Sequence, residues 1–402
     1  MKTLIQPVAA QAAQATTDTG HGWPLLRLGF RPFYLGATVF AFLAIPVWIF
    51  MFLGRTQWTP VVPPLLWHAH EMLFGFAAAV IVGFLMTGVK AWTGLSTPRG
   101  VALGWLIALW LAARLAATFA PYPVYAVLDV LLLPTVAFIL ARLLLRAGNR
   151  RNLPLISLLG FLTLANVMFH LAVLGYLEMA PVRPLYAALA LIVLIECVMG
   201  GRVIPAFTMN AIAGLRLKVD PQMEKATAVA SVLALLLWVF MPSGPLSAPM
   251  LAFAAVLQLL RLLSWKPWRT RGTPILWVLH VAYAWIPVGF LLLAMSLIGW
   301  IPPSAGIHAL AVGATGGLII GMVTRTARGH TGRPLKASPV EVAAYSLVFL
   351  AAVLRVLVPL ITPQYLVMAV IAAGTAWSLA FVLYLGRYTP WLMRMRLDGK
   401  DG

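Results

Sequence analysis

LLWHAHEMLFGFAAAVIVGFLMTG, residues 65–88, decides the fold. The run is apolar along its length, and a helix rising ~1.5 Å per residue needs about 20 such residues to cross a bilayer core. It also carries His68, His70 and Glu71 within one turn. Polar groups in hydrocarbon cost free energy unless a hydrogen bond, a counter-charge or a metal satisfies them. Neutral imidazole is a common ligand of transition metals and of haem iron. The segment therefore reads as a membrane helix built to hold something.

Segments of the same kind recur on both sides of it. Twelve candidate spans cover roughly 33–53, 64–89, 100–119, 123–146, 153–175, 184–206, 226–243, 246–263, 273–299, 304–324, 338–361 and 364–386. The 402-residue chain is 62% hydrophobic and 10% charged, a balance that excludes a soluble globular domain. The fold class is all-α: a polytopic membrane protein of about twelve transmembrane helices in one bundle. Residues 31–390 form that single domain. Residues 1–30, which include the polar run QPVAAQAAQATTDTG, read as a flexible cytoplasmic tail, and 391–402 as a cytoplasmic C-terminal tail. The loops are too short for a soluble domain. A lone Cys197 excludes an internal disulfide and a four-cysteine zinc site. No Walker loop, GxGxxG, GxSxG or CxxCH string occurs. No repeat is evident between residues 1–206 and 207–402.

The net charge of +19 does not point to nucleic acid, because its placement alternates by loop. Arg142, Arg146, Arg150, Arg151, Arg216, Lys218, Arg269, Arg271, Arg333 and Lys336 fall on one side, with many more; Arg55 and Arg183 fall on the other. By the positive-inside rule both termini are cytoplasmic, and the inner leaflet's anionic lipid is a natural neighbour.

Topology converts position into depth. His68, His70 and Glu71 lie near the outer face, His170 in the outer half of the fifth span, and His308 one turn into the tenth. Four histidines from three helices thus share a level and are the first metal-ligand candidates. His280 and His330 belong to the inner side and form a candidate second site. His21, in the tail, has no assigned role. His68 and His70 point about 200° apart on a regular helix, so they serve two centres or the helix start is unwound. His68 and Glu71, at i and i+3, share a face. Glu71 is then a ligand, an orienting partner or a proton donor; the plain alternative is a satisfied His–Glu bond. Gly75, Ala79 and Gly83 make a smooth stripe, for close packing or for a flat macrocycle, and Gly313, Gly317 and Gly321 make another. Arg114 and Asp129 read as a structural ion pair. Arg355 has no obvious protein partner, and a haem propionate would neutralise it. Glu196 is an intramembrane carboxyl suited to proton transfer, or a partner for Arg202. Gly75, Arg202 and Arg355 are the cofactor-binding candidates.

Four strings resemble one family: GFRPFYLGA (29–37), WHAHEMLFGFAAAVIVGFLMTGVKAWTG (67–94), GGRVIPAFT (200–208) and RTARGHTGRPL (325–335). With Asn166, His170, His280 and His308 they are similar to the NnrS family of bacterial inner-membrane proteins. The resemblance implies haem and copper, and a role in nitric oxide metabolism and tolerance of nitrosative stress.

Three function classes follow. The first is a nitric oxide reductase-like oxidoreductase that joins two nitric oxide molecules, with Glu71 or Glu196 delivering protons and a membrane quinol supplying electrons. The second is a metal transporter, disfavoured by the absence of two related halves. The third is a protein that binds nitric oxide without turnover.

Overall fold

The structure, a computed structural model, describes residues 22–56, 60 and 62–400. Most of the expected N-terminal tail, with His21, lies outside the described residues. Among the described residues twelve helices are long and apolar enough to cross a membrane, and no strand occurs. They are α1 (Phe30–Phe52), α2 (Pro64–Thr93), α3 (Val101–Phe119), α4 (Tyr122–Arg146), α5 (Leu153–Val173), α6 (Val182–Ala211), α7 (Pro221–Phe240), α8 (Ser247–Ser264), α9 (Pro274–Leu297), α10 (Pro303–His330), α11 (Pro339–Ile361) and α12 (Leu366–Leu392). The chain is a polytopic all-α membrane protein.

Local chemistry sets the helix ends. Proline occupies the first turn of α2, α7, α9, α10 and α11, where its missing N–H costs nothing. Asp220 caps α7 by accepting from Gln222 N, and Ser338 with Glu341 forms a reciprocal capping box on α11. Leucines and phenylalanines such as Phe50, Phe119, Phe138 and Phe161 stay exposed on the outer helix faces, as a lipid-facing surface requires. Polar and charged side chains collect inside instead: Arg31, His70, Glu71, Arg114, Asp129, Asn166, His170, His280 and Glu341 are all buried. The two most enclosed spans are α2 and α10.

The landmarks recur with a period of four helices. α2, α6 and α10 are each followed by a glycine at positive φ: Gly94 at 71°, Gly214 at 72° and Gly332 at 75°. Only glycine adopts that turn without strain. A Thr-Pro, Asp-Pro or Ser-Pro pair (97–98, 220–221, 338–339) then leads into α3, α7 or α11. The first and third sets agree further. α1 and α9 each contain Ile-Pro-Val, at 45–47 and 286–288. α2 and α10 each begin after a proline pair, carry a histidine near the start, and then widen into a π-helical segment, Glu71–Ala77 and Ala309–Gly316. Arg114 and Arg355 stand equally far in sequence from Pro98 and Pro339. A period of four spans in twelve cannot appear as a likeness between two halves, which is why that comparison shows none.

Candidate functional site

The histidines of WHAHEM separate. Near the start of α2 the helix is regular, so His68 and His70 face opposite ways and enter two different sites. The four outer histidines are therefore two pairs, not one set: His70 with His170, and His68 with His308.

The first site is a buried polar cluster between α2, α3, α4 and α5. His70 Nε2 lies 3.3 Å from Asp129 Oδ2 and 2.9 Å from Asn166 Oδ1. His170 Nε2 lies 3.2 Å from the same Asp129 oxygen, and Tyr122 OH meets His170 Nδ1 at 2.9 Å. Tyr125 OH donates to Glu71 Oε1 at 2.9 Å, and Asn166 Nδ2 donates to Asp129 Oδ2 at 2.6 Å. Arg114 bridges the two acids: Nη1 donates to Glu71 Oε2 at 2.5 Å, and Nη2 pairs with Asp129 Oδ1. One ligand atom each from His70, Asp129 and His170 lie within 4.8 Å of one another, and two imidazole nitrogens with a carboxylate oxygen suit a borderline transition metal. The donor set fits a bound cation.

Glu71 reaches this cluster rather than sharing a face with His68. The expectation from i, i+3 spacing assumed α geometry, but the π segment starts at Glu71 and its wider turn re-aims the carboxylate toward His70 and Arg114. Gly75 also belongs here and not to the cavity below. A Cβ there would strike Phe40 and Arg114 Nη1, and its carbonyl accepts from Trp110 Nε1 at 2.9 Å. The other stripe glycines meet Phe33, Trp285, Ala282 and Leu279, so the stripes serve close packing.

The second site is a cavity of about 410 Å³ among α1, α2, α6, α10, α11 and α12. Its walls are apolar save for His68, Ser304, His308, Thr315 and Arg355. His68 stacks on Trp48 with centroids 4.2 Å apart, and its Nδ1 is buried without a partner. His308 Nδ1 donates to Ser304 O at 2.7 Å. That bond fixes the tautomer and leaves Nε2 with a bare lone pair, the form in which a histidine ligates a metal. Arg355 lines the same space and makes no ion pair among the described residues.

The remaining candidates lie apart. His280 Nε2 bonds Thr208 Oγ1 at 3.0 Å and packs near Trp265, while His330 packs on Phe30. Neither lines the cavity, and no contact joins them, because similar depth does not give two helices the same facing. Arg202 donates to Asn152 Oδ1 at 2.9 Å and does not pair with Glu196. Glu196 lines a smaller cavity below the first. Tyr122 and Tyr125 escaped the sequence reading, although Tyr122, Tyr125 and Asp129 at i, i+3 and i+7 mark one face of α4. Asn166 and His170 do the same on α5.

Among curated proteins a search finds no match. A family model described as NnrS protein matches residues 24–396, nearly the whole chain. That match takes in both histidine sites and all twelve helices, and the chain accordingly belongs to the NnrS family.

Proposed function

We propose that this protein is a haem- and copper-holding protein of the bacterial inner membrane, with cytoplasmic termini, that acts on nitric oxide. The cavity takes the haem, with His308 and His68 as the candidate iron ligands. The cluster of His70, His170 and Asp129 takes the copper. When bound, haem would supply the binding of nitric oxide and a route for electrons from a membrane quinol, with one of His308 and His68 holding the iron. Conversion of two nitric oxide molecules to nitrous oxide and water consumes two electrons and two protons.

One observation carries the reading: a free imidazole nitrogen and an arginine without a carboxylate partner share one apolar cavity of cofactor size. The four-helix recurrence sharpens it. Arg114 meets two acids of its own chain, Glu71 and Asp129. Around Arg355 the cavity offers no acid among the described residues. A buried guanidinium without an internal counter-charge is costly, and a carboxylate brought by a ligand offsets that cost. Glu71, held by Arg114, Tyr125 and His70, orients His70 and balances charge. Trp48 fixes the plane of the His68 ring, and the apolar walls exclude bulk water from the site. A period of four helices also runs against a transporter built from two related halves.

Optical and metal analysis of the purified protein, reduced, with and without nitric oxide, tests the reading. Haem and copper bound with nitric oxide consumed under quinol supports the oxidoreductase; a nitrosyl spectrum without consumption supports a binding protein; absence of both metals defeats the proposal. Arg355→Gln should weaken haem retention about ten-fold or more, the worth of a charge-assisted hydrogen bond, while leaving copper content unchanged. Equal haem retention in this variant would remove Arg355 from the site.

A further inference from the structure

The other acids within the helices are matched to arginine: Glu71 and Asp129 to Arg114, Glu224 to Arg261, and Glu341 to Arg328. Glu196 on α6 makes no ion pair among the described residues, and its Oε2 is buried without a hydrogen-bond partner. Its position explains what such a group is for. A second cavity of about 90 Å³ lies below the histidine cavity, lined by Glu196, Tyr34, Met199, Leu279 and Met322. Ala77 and Thr315 line both cavities. The two spaces meet at that pair, and Glu196 is beside it.

Thr315 also leaves the common pattern, as Thr227 on α7 does. Thr38, Thr87, Thr135, Thr163, Thr208, Thr324 and Thr375 each donate to the carbonyl four residues earlier, as helical threonines do. Thr315 sits in the π segment of α10, and its Oγ1 is buried with no partner. Its hydroxyl lies near the Glu196 carboxyl without the geometry of a formed hydrogen bond. Two unpartnered oxygens thus face a junction between two cavities, one of which has room for a few waters. Structural roles account for neither oxygen, since burying an unsatisfied polar atom is a cost.

We propose that Glu196 is a proton relay between the lower cavity and the histidine cavity, working through Thr315. In one cycle the Glu196 O–H bond breaks, its proton passes by way of the Thr315 hydroxyl into the upper cavity, and the carboxylate recovers a proton from water in the lower one. No electrons move in this step. The relay rests on the reading that a reduction consuming protons takes place in the upper cavity, and it assigns the inner side as their source.

Two measurements on the full-length purified protein test it. Dicyclohexylcarbodiimide adds to protonated carboxyls in apolar surroundings and needs no haem. It should label Glu196, and not Glu71 or Asp129, with the adduct lost in Glu196→Gln. On rapid reduction of the metal-loaded protein, a pH-indicator dye should report proton uptake slowed about a hundred-fold in Glu196→Gln, with the haem spectrum unchanged. Thr315→Val should slow it too, and Thr315→Ser should restore it. Glu196→Asp, which keeps the acid but shortens its reach, serves if the glutamine variant does not fold, and should be slowed as well. No adduct at Glu196, or uptake at the wild-type rate in Glu196→Gln, overturns the relay. A preparation without haem defeats the haem reading alone, because the labelling still decides whether Glu196 carries an exchangeable proton.

Discussion

Purified His308→Ala is expected to lack the haem absorption of the wild type while keeping its copper. His308 presents Nε2 to the cavity because Ser304 O holds the Nδ1 proton. His68→Ala should alter the same spectrum, since His68 lines the same cavity from α2. His70→Ala and His170→Ala should strip copper instead, because those rings meet at Asp129 on the other side of α2. Metal analysis beside the optical spectrum separates the two outcomes. Haem retained in both His308→Ala and His68→Ala sinks the assignment of the cavity, and loss of both metals in every variant would mean a collapsed fold rather than two sites.

Arg114→Leu should be the most damaging single substitution for stability. It leaves Glu71 and Asp129 facing each other in the cluster with no cation between them, and breaking a buried ion pair from one side costs about 3–5 kcal/mol. The variant should accumulate poorly or melt well below the wild type in detergent. Adding Glu71→Gln and Asp129→Asn should recover part of the loss, since the removed charges no longer need a partner. Thermal melts of the single and triple variants read this directly. A single variant as stable as the wild type would mean that another cation already neutralises the two acids.

Much of this was legible in the residues. Twelve apolar runs define twelve helices, because hydrocarbon leaves a spanning chain little other choice. The opposed facing of His68 and His70 follows from helical geometry, and Arg355 announces itself as a charge without a neighbour. The inner ends were less legible. α2 runs on to Thr93, α10 to His330 and α12 to Leu392, past the apolar stretch, because basic side chains there can reach out to water while the backbone stays helical. Glu71 was misplaced, since nothing in the residue spacing marks where α winding gives way to π. The expected link between His280 and His330 is a separate matter: the two rings have different neighbours, Thr208 and Trp265 for one and Phe30 for the other. Distance along a helix axis fixes height but not azimuth, and two rings at one height can look in opposite directions.

A π segment is an ordinary helix carrying one surplus residue. Deleting one residue of Met72–Ala77 would let that stretch rewind as a regular helix, with Pro64–His70 and Ala78–Thr93 nearly keeping their phase, because the wide winding had already absorbed the extra residue. Both imidazoles would hold their aim, and the residues inside the wide turn, Glu71 and Gly75, would lose theirs toward Arg114 and Trp110. A single-codon deletion in Ala309–Gly316 would likewise act on Thr315 and leave His308 in place.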